Sequence, residues 1–197
     1  MTINLNEIYA QLKAWRNERG ITAESQKEGY IVNVMEEFGE LATALREYER
    51  FSKPSYPYPK NKKYAEHGII DALCDISVFT INVGADINCN EKLESINTTQ
   101  TTLCNSSLSF LLSECGNFDF YGKLSSYVCF NQILLSCAKL CEQYGFNFEI
   151  AMLETIKEIS SRTGAYDEKA KKWVKDESDE ARAKWHKADY EKARIEQ

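Results

Sequence analysis

Hydrophobic positions recur along most of the chain with the spacing of α-helices. Apolar residues return every three or four positions, and no stretch alternates with period two for long enough to predict a strand. Asn4 or Asn6 is expected to cap a first helix that ends at Gly20. The pattern predicts further helices over residues 23–51, 64–87, 108–115, 120–144 and 148–162. We therefore predict an all-α fold, a helical bundle.

Three polar segments separate or follow these helices. Residues 52–63 contain all three prolines and are predicted to be a loop, as are residues 86–107, which are rich in Thr, Asn and Ser. Residues 165–197 are highly charged and are expected to form one or two surface helices around Trp173 and Trp185. We predict a single domain over residues 1–197, with its core in about residues 1–165 and a charged C-terminal tail over residues 166–197.

Composition narrows the class of protein. A chain of 197 residues with 43% hydrophobic and 27% charged residues is typical of one soluble domain. Its net charge of −6 argues against broad nucleic-acid binding. Seven cysteines without a CxxC pair favour a reduced cytoplasm. The longest apolar run, residues 69–83, is interrupted by acids and too short to cross a bilayer. We expect a cytoplasmic protein with neither a nucleic-acid nor a membrane partner.

The first of two acid clusters lies in residues 36–40, Glu-Glu-Phe-Gly-Glu. On a helix at about 100° per residue, Glu36, Glu37 and Glu40 fall on one face, next to the apolar stripe. Glutamate is a good helix former, so this cluster alone would usually be a solvated helix face.

The second cluster lies in residues 71–75, Asp-Ala-Leu-Cys-Asp. Asp71, Asp75 and Asn82 fall in one narrow line along a helix that is apolar on almost every side. Buried carboxylates are costly unless they are paired or bind a metal. The alternative is a buried network of hydrogen bonds or salt bridges. Taken together, the two clusters favour a hard divalent cation, Mg²⁺ with Mn²⁺ as the alternative.

Other kinds of site lack their usual residues. Neither His67 nor His186 lies three residues after a glutamate, as the ligands of di-iron bundles do. Cys137 and Cys141 have no second pair to complete a zinc site.

The acid motifs resemble those of the all-α nucleoside triphosphate pyrophosphohydrolases, which include the MazG-like enzymes and the dimeric dUTPases. Their pattern is E-E-x-x-E, followed on the next helix by E-x-x-D. The first part is matched by three glutamates, Glu36, Glu37 and Glu40. Asp75 matches the final aspartate, but Ala72 stands where the family has glutamate, and the acid is Asp71. The form D-A-L-x-D is similar to a MazG-like subgroup, and the resemblance covers about residues 25–85.

This resemblance implies a fold and a reaction. The fold is a helical bundle of the MazG-like type. The reaction is Mg²⁺-dependent cleavage of a (d)NTP to a nucleoside monophosphate and pyrophosphate. Glu36 would orient or deprotonate the attacking water. The metal ligands would be four acids, Glu37, Glu40, Asp71 and Asp75. The family also implies a homo-oligomer, a dimer or a tetramer.

A triphosphate substrate needs basic partners, and the sequence offers two groups. One lies in the proline-containing loop, at Lys53, Lys60, Lys62 and Lys63. The other lies near the C-terminus, at Arg162, Lys172, Lys175 and Lys187. Asn82 is a candidate polar contact to the base. The base itself stays open among dUTP, dCTP, a damaged nucleotide and dNTPs in general.

A second hypothesis is a helical protein without catalytic activity. In that case the bundle binds a nucleotide or a partner, and the acids are a structural or relic metal site. The departure at Ala72 and Asp71 keeps this hypothesis open. The two hypotheses differ at Glu36, which an enzyme needs in addition to its metal ligands.

Overall fold

Helices dominate the protein in a computed structural model. The structure describes residues 2–84, 94–99, 107–120, 123–167, 169 and 172–196. Seven α-helices lie within these ranges: α1 (Asn6–Glu18), α2 (Ala23–Phe51), α3 (Pro59–Gly84), α4 (Leu108–Phe120), α5 (Lys123–Gln143), α6 (Phe148–Ser161) and α7 (Asp179–Arg182). The prediction of a helical fold is thereby confirmed, while the MazG-like type stays a prediction.

Four short strands accompany the helices. Strand β1 (Thr2–Asn4) pairs antiparallel with β2 (Ser95–Asn97), and β3 (Gly164–Asp167) pairs antiparallel with β4 (Lys172–Lys175). The sequence predicted none of them, because three or four residues are too few to show a period of two. Strand β2 falls in the segment predicted to be a loop.

Helices α2 and α3 form an antiparallel pair at the centre of the fold. A Cβ built on Gly68 would lie 3.2 Å from the Cβ of Ala44, near the loop that joins the two helices. At the other end of the pair, the hydroxyls of Tyr30 and Thr80 lie 3.2 Å apart. The predicted bounds of α2 are confirmed, and the Thr22 side chain caps the helix by accepting the N–H of Ser25 at 3.1 Å.

Helix α3 is buried on nearly all sides, as predicted. Fully buried side chains point from it in several directions, among them Ile69, Ile70, Leu73, Ile76 and Ile81. Helices α1, α2, α5 and α6 all pack against it. The helix begins at Pro59, five residues before the predicted start, because proline suits the first helical position.

Glycines end two helices and leave a third intact. Gly20 and Gly145 have φ of 62° and 81°, and they follow α1 and α5 where the sequence predicted a stop. Gly116 does not end α4, which continues to Phe120. A glycine inside a helix costs only about 1 kcal/mol, so packing against α5 outweighs it.

The C-terminal segment differs from the prediction of one or two surface helices. Trp173 lies in a β-hairpin, and the rest contains only α7 and a 3₁₀-helix (Tyr190–Ala193). Tyr190 and Ala193 belong to the hydrophobic core, so the core does not end near residue 165. The apolar residues that anchor this segment are too few and too widely spaced to show among the charges.

Within the described ranges, no helix is both long and apolar enough to cross a membrane. The five cysteines that these ranges include are buried thiols, not disulfides: Cys74, Cys115, Cys129, Cys137 and Cys141. Cys89 and Cys104 lie outside the described residues.

A buried carboxylate on α6 holds the C-terminal segment in place. Glu154 is 1% exposed and accepts hydrogen bonds from Lys157 Nζ at 2.6 Å and from the N–H of Asp189 at 3.3 Å. Lys192 Nζ and His186 Nε2 also lie 3.3 Å from it. Burial raises the pKa of Glu154, but these hydrogen bonds outweigh burial and lower the pKa to about 2.

The Glu154→Gln variant should therefore lose stability in a pH-dependent manner. The folded-state pKa lies below the ordinary 4.5, so the stabilisation is present above pH 4.5 and is lost as the pH falls towards 2. We expect a loss of roughly 2–3 kcal/mol at pH 7 that shrinks towards pH 2. Urea unfolding at several pH values measures it, with Glu49→Gln on exposed α2 surface as control. A loss that is the same at every pH would contradict this account.

Candidate functional site

The structure brings the five predicted acids together along the seam between α2 and α3. Glu37 and Asp75 line a cavity of about 600 Å³. Glu40 and Asp71 line a neighbouring depression of about 510 Å³. Glu36 is exposed and borders both. The acids therefore form one continuous group that spans the two hollows.

Burial and the charges of neighbouring acids raise the pKa values of two members of this group, Glu37 and Asp75. Burial raises the pKa of Glu37 to about 7, and the charges of Glu40, Asp71 and Glu36 add to the effect. Burial also raises the pKa of Asp75 well above its ordinary value, with further contributions from Asp71 and Glu37. Glu37 and Asp75 thus lie close enough to other acids of the group for the charges of those acids to disfavour their ionisation.

Asp71 has contacts that the sequence did not predict. Burial raises its pKa, and a hydrogen bond of 2.5 Å, donated by the Tyr190 hydroxyl to Asp71 Oδ1, opposes that rise. The charge of Glu158 raises the pKa further. The sequence carries a signal for Glu158, because it lies four residues before Arg162, with which it pairs at 2.7 Å. Tyr190 is 119 residues from Asp71, and no local pattern connects the two.

Two of the predicted phosphate-binding residues line the larger cavity. Arg162 follows α6, and its charge lowers the pKa values of Glu37, Asp71 and Asp75. Lys175 lies in β4 and is exposed on the cavity's rim. A cavity with acids on one wall and cations on another can accommodate a ligand that carries both a metal and phosphates.

The other predicted phosphate-binding residues do not line this cavity. Lys62 and Lys63 lie 3.8 Å from Glu66 and 3.4 Å from Glu191, respectively. Lys53, Lys60 and Lys187 are exposed on other surfaces. The side chain of Lys172 lies outside the described residues.

Asn82 lies at the apolar end of the same cavity. It is 0% exposed, and neither its side-chain nitrogen nor its side-chain oxygen has a hydrogen-bond partner within the described residues. Trp15 and Phe79 line the cavity beside it. Arg16 Nη1 donates to the Asn82 main-chain carbonyl at 2.9 Å, which fixes the backbone at this position. A buried amide without partners is costly, so Asn82 is a candidate for hydrogen bonds with a ligand or with an ordered water molecule.

The β3–β4 hairpin closes one side of the cavity. Tyr166 and Trp173 line it, and the Arg19 guanidinium lies 5.1 Å from the Trp173 ring and 5.4 Å from the Trp15 ring. Arg19 Nη2 also donates to the Arg162 carbonyl at 3.1 Å. A Cβ on Gly164 would lie 2.4 Å from the Trp173 ring, so only glycine fits there. The hairpin is thus tied to α1 and to the end of α6.

The acids suit a hard divalent cation by their chemistry. All are carboxylates, the ligands that Mg²⁺ and Mn²⁺ prefer, and a cation among them would relieve their repulsion. Within the residues that the structure describes, no group of three or more His, Cys, Asp or Glu is arranged to hold a metal. Coordination would therefore require rotation of some of these side chains.

Comparisons of the chain with family models, with curated proteins and with solved structures found no match. The resemblance to the all-α pyrophosphohydrolases thus stays a prediction from the two acid motifs.

The Glu37→Gln variant should stabilise the metal-free protein at pH 8. The folded-state pKa of about 7 lies above the ordinary 4.5, so the protein loses stability as the pH rises from 4.5 through 7. Glutamine does not ionise, and we expect a gain of about 1 kcal/mol at pH 8, after discounting for partial exposure, and none at pH 4. Unfolding in urea with EDTA measures this gain. Glu28→Gln, on exposed α2 surface, is the control. Equal stability of Glu37→Gln and wild type at pH 8 would argue against a raised pKa of Glu37 in the folded protein.

Proposed function

We propose that the protein is a Mg²⁺-dependent nucleotide pyrophosphohydrolase, which cleaves a (d)NTP to a nucleoside monophosphate and pyrophosphate. One observation carries this proposal. Three acids, Glu36, Glu37 and Asp75, line a cavity that is also lined by Arg162, Lys175 and an unpartnered Asn82. A nucleoside triphosphate has the chemistry that matches such a cavity, because it combines a metal-binding polyphosphate with a flat, hydrogen-bonding base.

The cavity suggests how the substrate lies. Its volume of about 600 Å³ is in the usual range for small-molecule sites. The phosphates would lie between the acids and the cations of Arg162 and Lys175. The base would lie at the far end, between Trp15 and Phe79, with its polar edge against the Asn82 amide. An amide can donate one hydrogen bond and accept another, so it matches the paired polar groups on the edge of a base.

Each acid has a proposed role. Glu37, Glu40, Asp71 and Asp75 would hold Mg²⁺, which lowers the pKa of bound water and neutralises phosphate charge when present. Glu36 borders both hollows and is exposed, so it can reach a water molecule at the edge of the cluster. We assign it the orientation and deprotonation of the attacking water.

Non-catalytic nucleotide binding is the second candidate, and one observation favours it. Ala72 is 1% exposed, and it stands where the family pattern has glutamate. A glutamate there would point into the hydrophobic core, so the second acid motif differs from the family pattern in orientation as well as in spacing. Such a protein would retain the metal and the nucleotide without turnover.

A homodimer or homotetramer remains part of the proposal. Apolar side chains are exposed on α2 at Val32 and Met35 and on α4 at Leu112. Exposed apolar residues that cluster on adjacent helices are common at subunit interfaces.

Pyrophosphate release from a panel of NTPs and dNTPs, with Mg²⁺ and then with EDTA, tests the reaction. We expect metal-dependent release of pyrophosphate from at least one substrate. The relative rates for the different substrates identify the preferred base. Glu36→Gln should lower kcat by about 10²-fold or more, because it removes the base, and should leave nucleotide binding intact. Glu28→Gln on the same helix should retain full activity. Nucleotide binding without turnover of any substrate would favour the non-catalytic candidate.

Asn82→Leu separates a ligand-binding role from a structural one. Removal of two unpartnered buried polar atoms should raise the free energy of unfolding by about 1 kcal/mol. The same change should weaken nucleotide binding by about 10-fold or more, because the base loses its hydrogen bonds.

Thr80→Val on α3 is the matched control for Asn82→Leu. Thr80 is equally buried, but its hydroxyl donates to the Ile76 carbonyl at 2.8 Å, so its loss should destabilise the protein without changing nucleotide affinity. Urea unfolding and isothermal titration calorimetry give the two quantities. A destabilised Asn82→Leu variant with normal affinity would show that the amide is structural.

A further inference from the structure

The hydroxyl of Tyr190 makes the shortest hydrogen bond to any acid of the described cluster. It donates to Asp71 Oδ1 at 2.5 Å and lies 2.9 Å from Thr155 Oγ1. An ionised carboxylate only accepts hydrogen bonds, so the phenol proton lies towards Asp71. The Thr155 hydroxyl has one proton, which it can donate either to the phenol oxygen or to the Ala151 carbonyl at 3.1 Å. The Tyr190 hydroxyl therefore has a fixed direction, with its proton aimed at the acid.

The surroundings of Tyr190 hold this hydroxyl in place. The side chain is 4% exposed, and its ring meets the His67 ring edge-on at 5.9 Å. The two preceding residues are tied to α6, since the N–H of Ala188 donates to Glu158 at 2.8 Å and that of Asp189 to Glu154 at 3.3 Å. The C-terminal segment thus holds the Tyr190 hydroxyl against the Asp71 carboxylate with little freedom of movement.

We propose that Tyr190 is a positioning residue that holds the Asp71 carboxylate in the orientation required for metal binding. This inference rests on the proposed function. One Asp71 oxygen is occupied by the phenol, which leaves Oδ2 as the oxygen for the metal. Glu40 and Glu158 both repel Asp71, so without the phenol the carboxylate would rotate away from the orientation that the hydrogen bond fixes. Carboxylates that bind metals commonly need such a hydrogen-bonded partner. Its loss lowers the affinity for the metal about 10–100-fold.

Mn²⁺ binding to the nucleotide-free protein tests the proposal without any measurement of activity. The six-line electron paramagnetic resonance signal of free Mn²⁺ gives the dissociation constant. We expect Tyr190→Phe, which retains the ring and removes only the hydroxyl, to bind Mn²⁺ about 10-fold more weakly than wild type. Wild-type affinity in this variant would overturn the proposal.

Tyr30→Phe is the matched control. Tyr30 is 0% exposed, and its hydroxyl lies 3.2 Å from Thr80 Oγ1, so the variant also removes one buried hydroxyl next to a threonine. We expect wild-type Mn²⁺ affinity, with a loss of thermal stability similar to that of Tyr190→Phe. A comparable loss of Mn²⁺ affinity in Tyr30→Phe would mean that loosened packing explains both effects, and would overturn the proposal.

A double-mutant cycle with Asp71→Asn shows whether Tyr190 acts through Asp71. If it does, Asp71→Asn and Asp71→Asn/Tyr190→Phe should bind Mn²⁺ equally. A further loss of affinity in the double variant would overturn the positioning role. Absence of Mn²⁺ binding in wild type would overturn the metal site and this inference together. Wild-type binding with an unchanged Tyr190→Phe would overturn the inference alone and leave the proposed function standing.

Discussion

The closely packed seam between α2 and α3 determines the rest of the structure. The contact of Gly68 with Ala44 brings the two helices close together, and their apolar faces bury most of α3. The same seam carries five carboxylates, and burial together with neighbouring charges disfavours the ionised forms of Glu37, Asp71 and Asp75. A chain that needed only stability would place apolar or uncharged residues there. The proposed function accounts for these acids, because folded proteins commonly tolerate such strain at functional sites.

The second half of the chain compensates this repulsion. Helix α6 supplies Arg162, whose charge favours the ionised acids, and the 3₁₀-helix supplies Tyr190, which donates to Asp71. Glu154 fixes the segment that carries Tyr190. The C-terminal segment, which was predicted to be a charged tail, thus contributes the hydrogen bond from Tyr190 that lowers the pKa of Asp71.

The features that the sequence predicted are those encoded locally. The bounds of α2 and the alignment of Asp71, Asp75 and Asn82 follow from periodicity within a single helix. The contacts of Asp71 with Tyr190 and of Asn82 with the cavity depend on how distant segments pack, which periodicity does not report. Glu158 lies between these cases, since its pairing with Arg162 is local but its approach to the acids is not.

The strand conformation of residues 172–175 decides which C-terminal cation belongs to the cavity. On a helix, Trp173 and Lys175 would lie about 200° apart, on opposite faces. In β4 they lie on the same face because side chains alternate, and both line the cavity, whereas Val174 between them is exposed and borders a different hollow. Trp173, whose ring contacts the Arg19 guanidinium, and Lys175 thus line the same cavity because this segment is extended. The acids could be found from helical spacing, but the position of Lys175 beside the cavity depends on the hairpin.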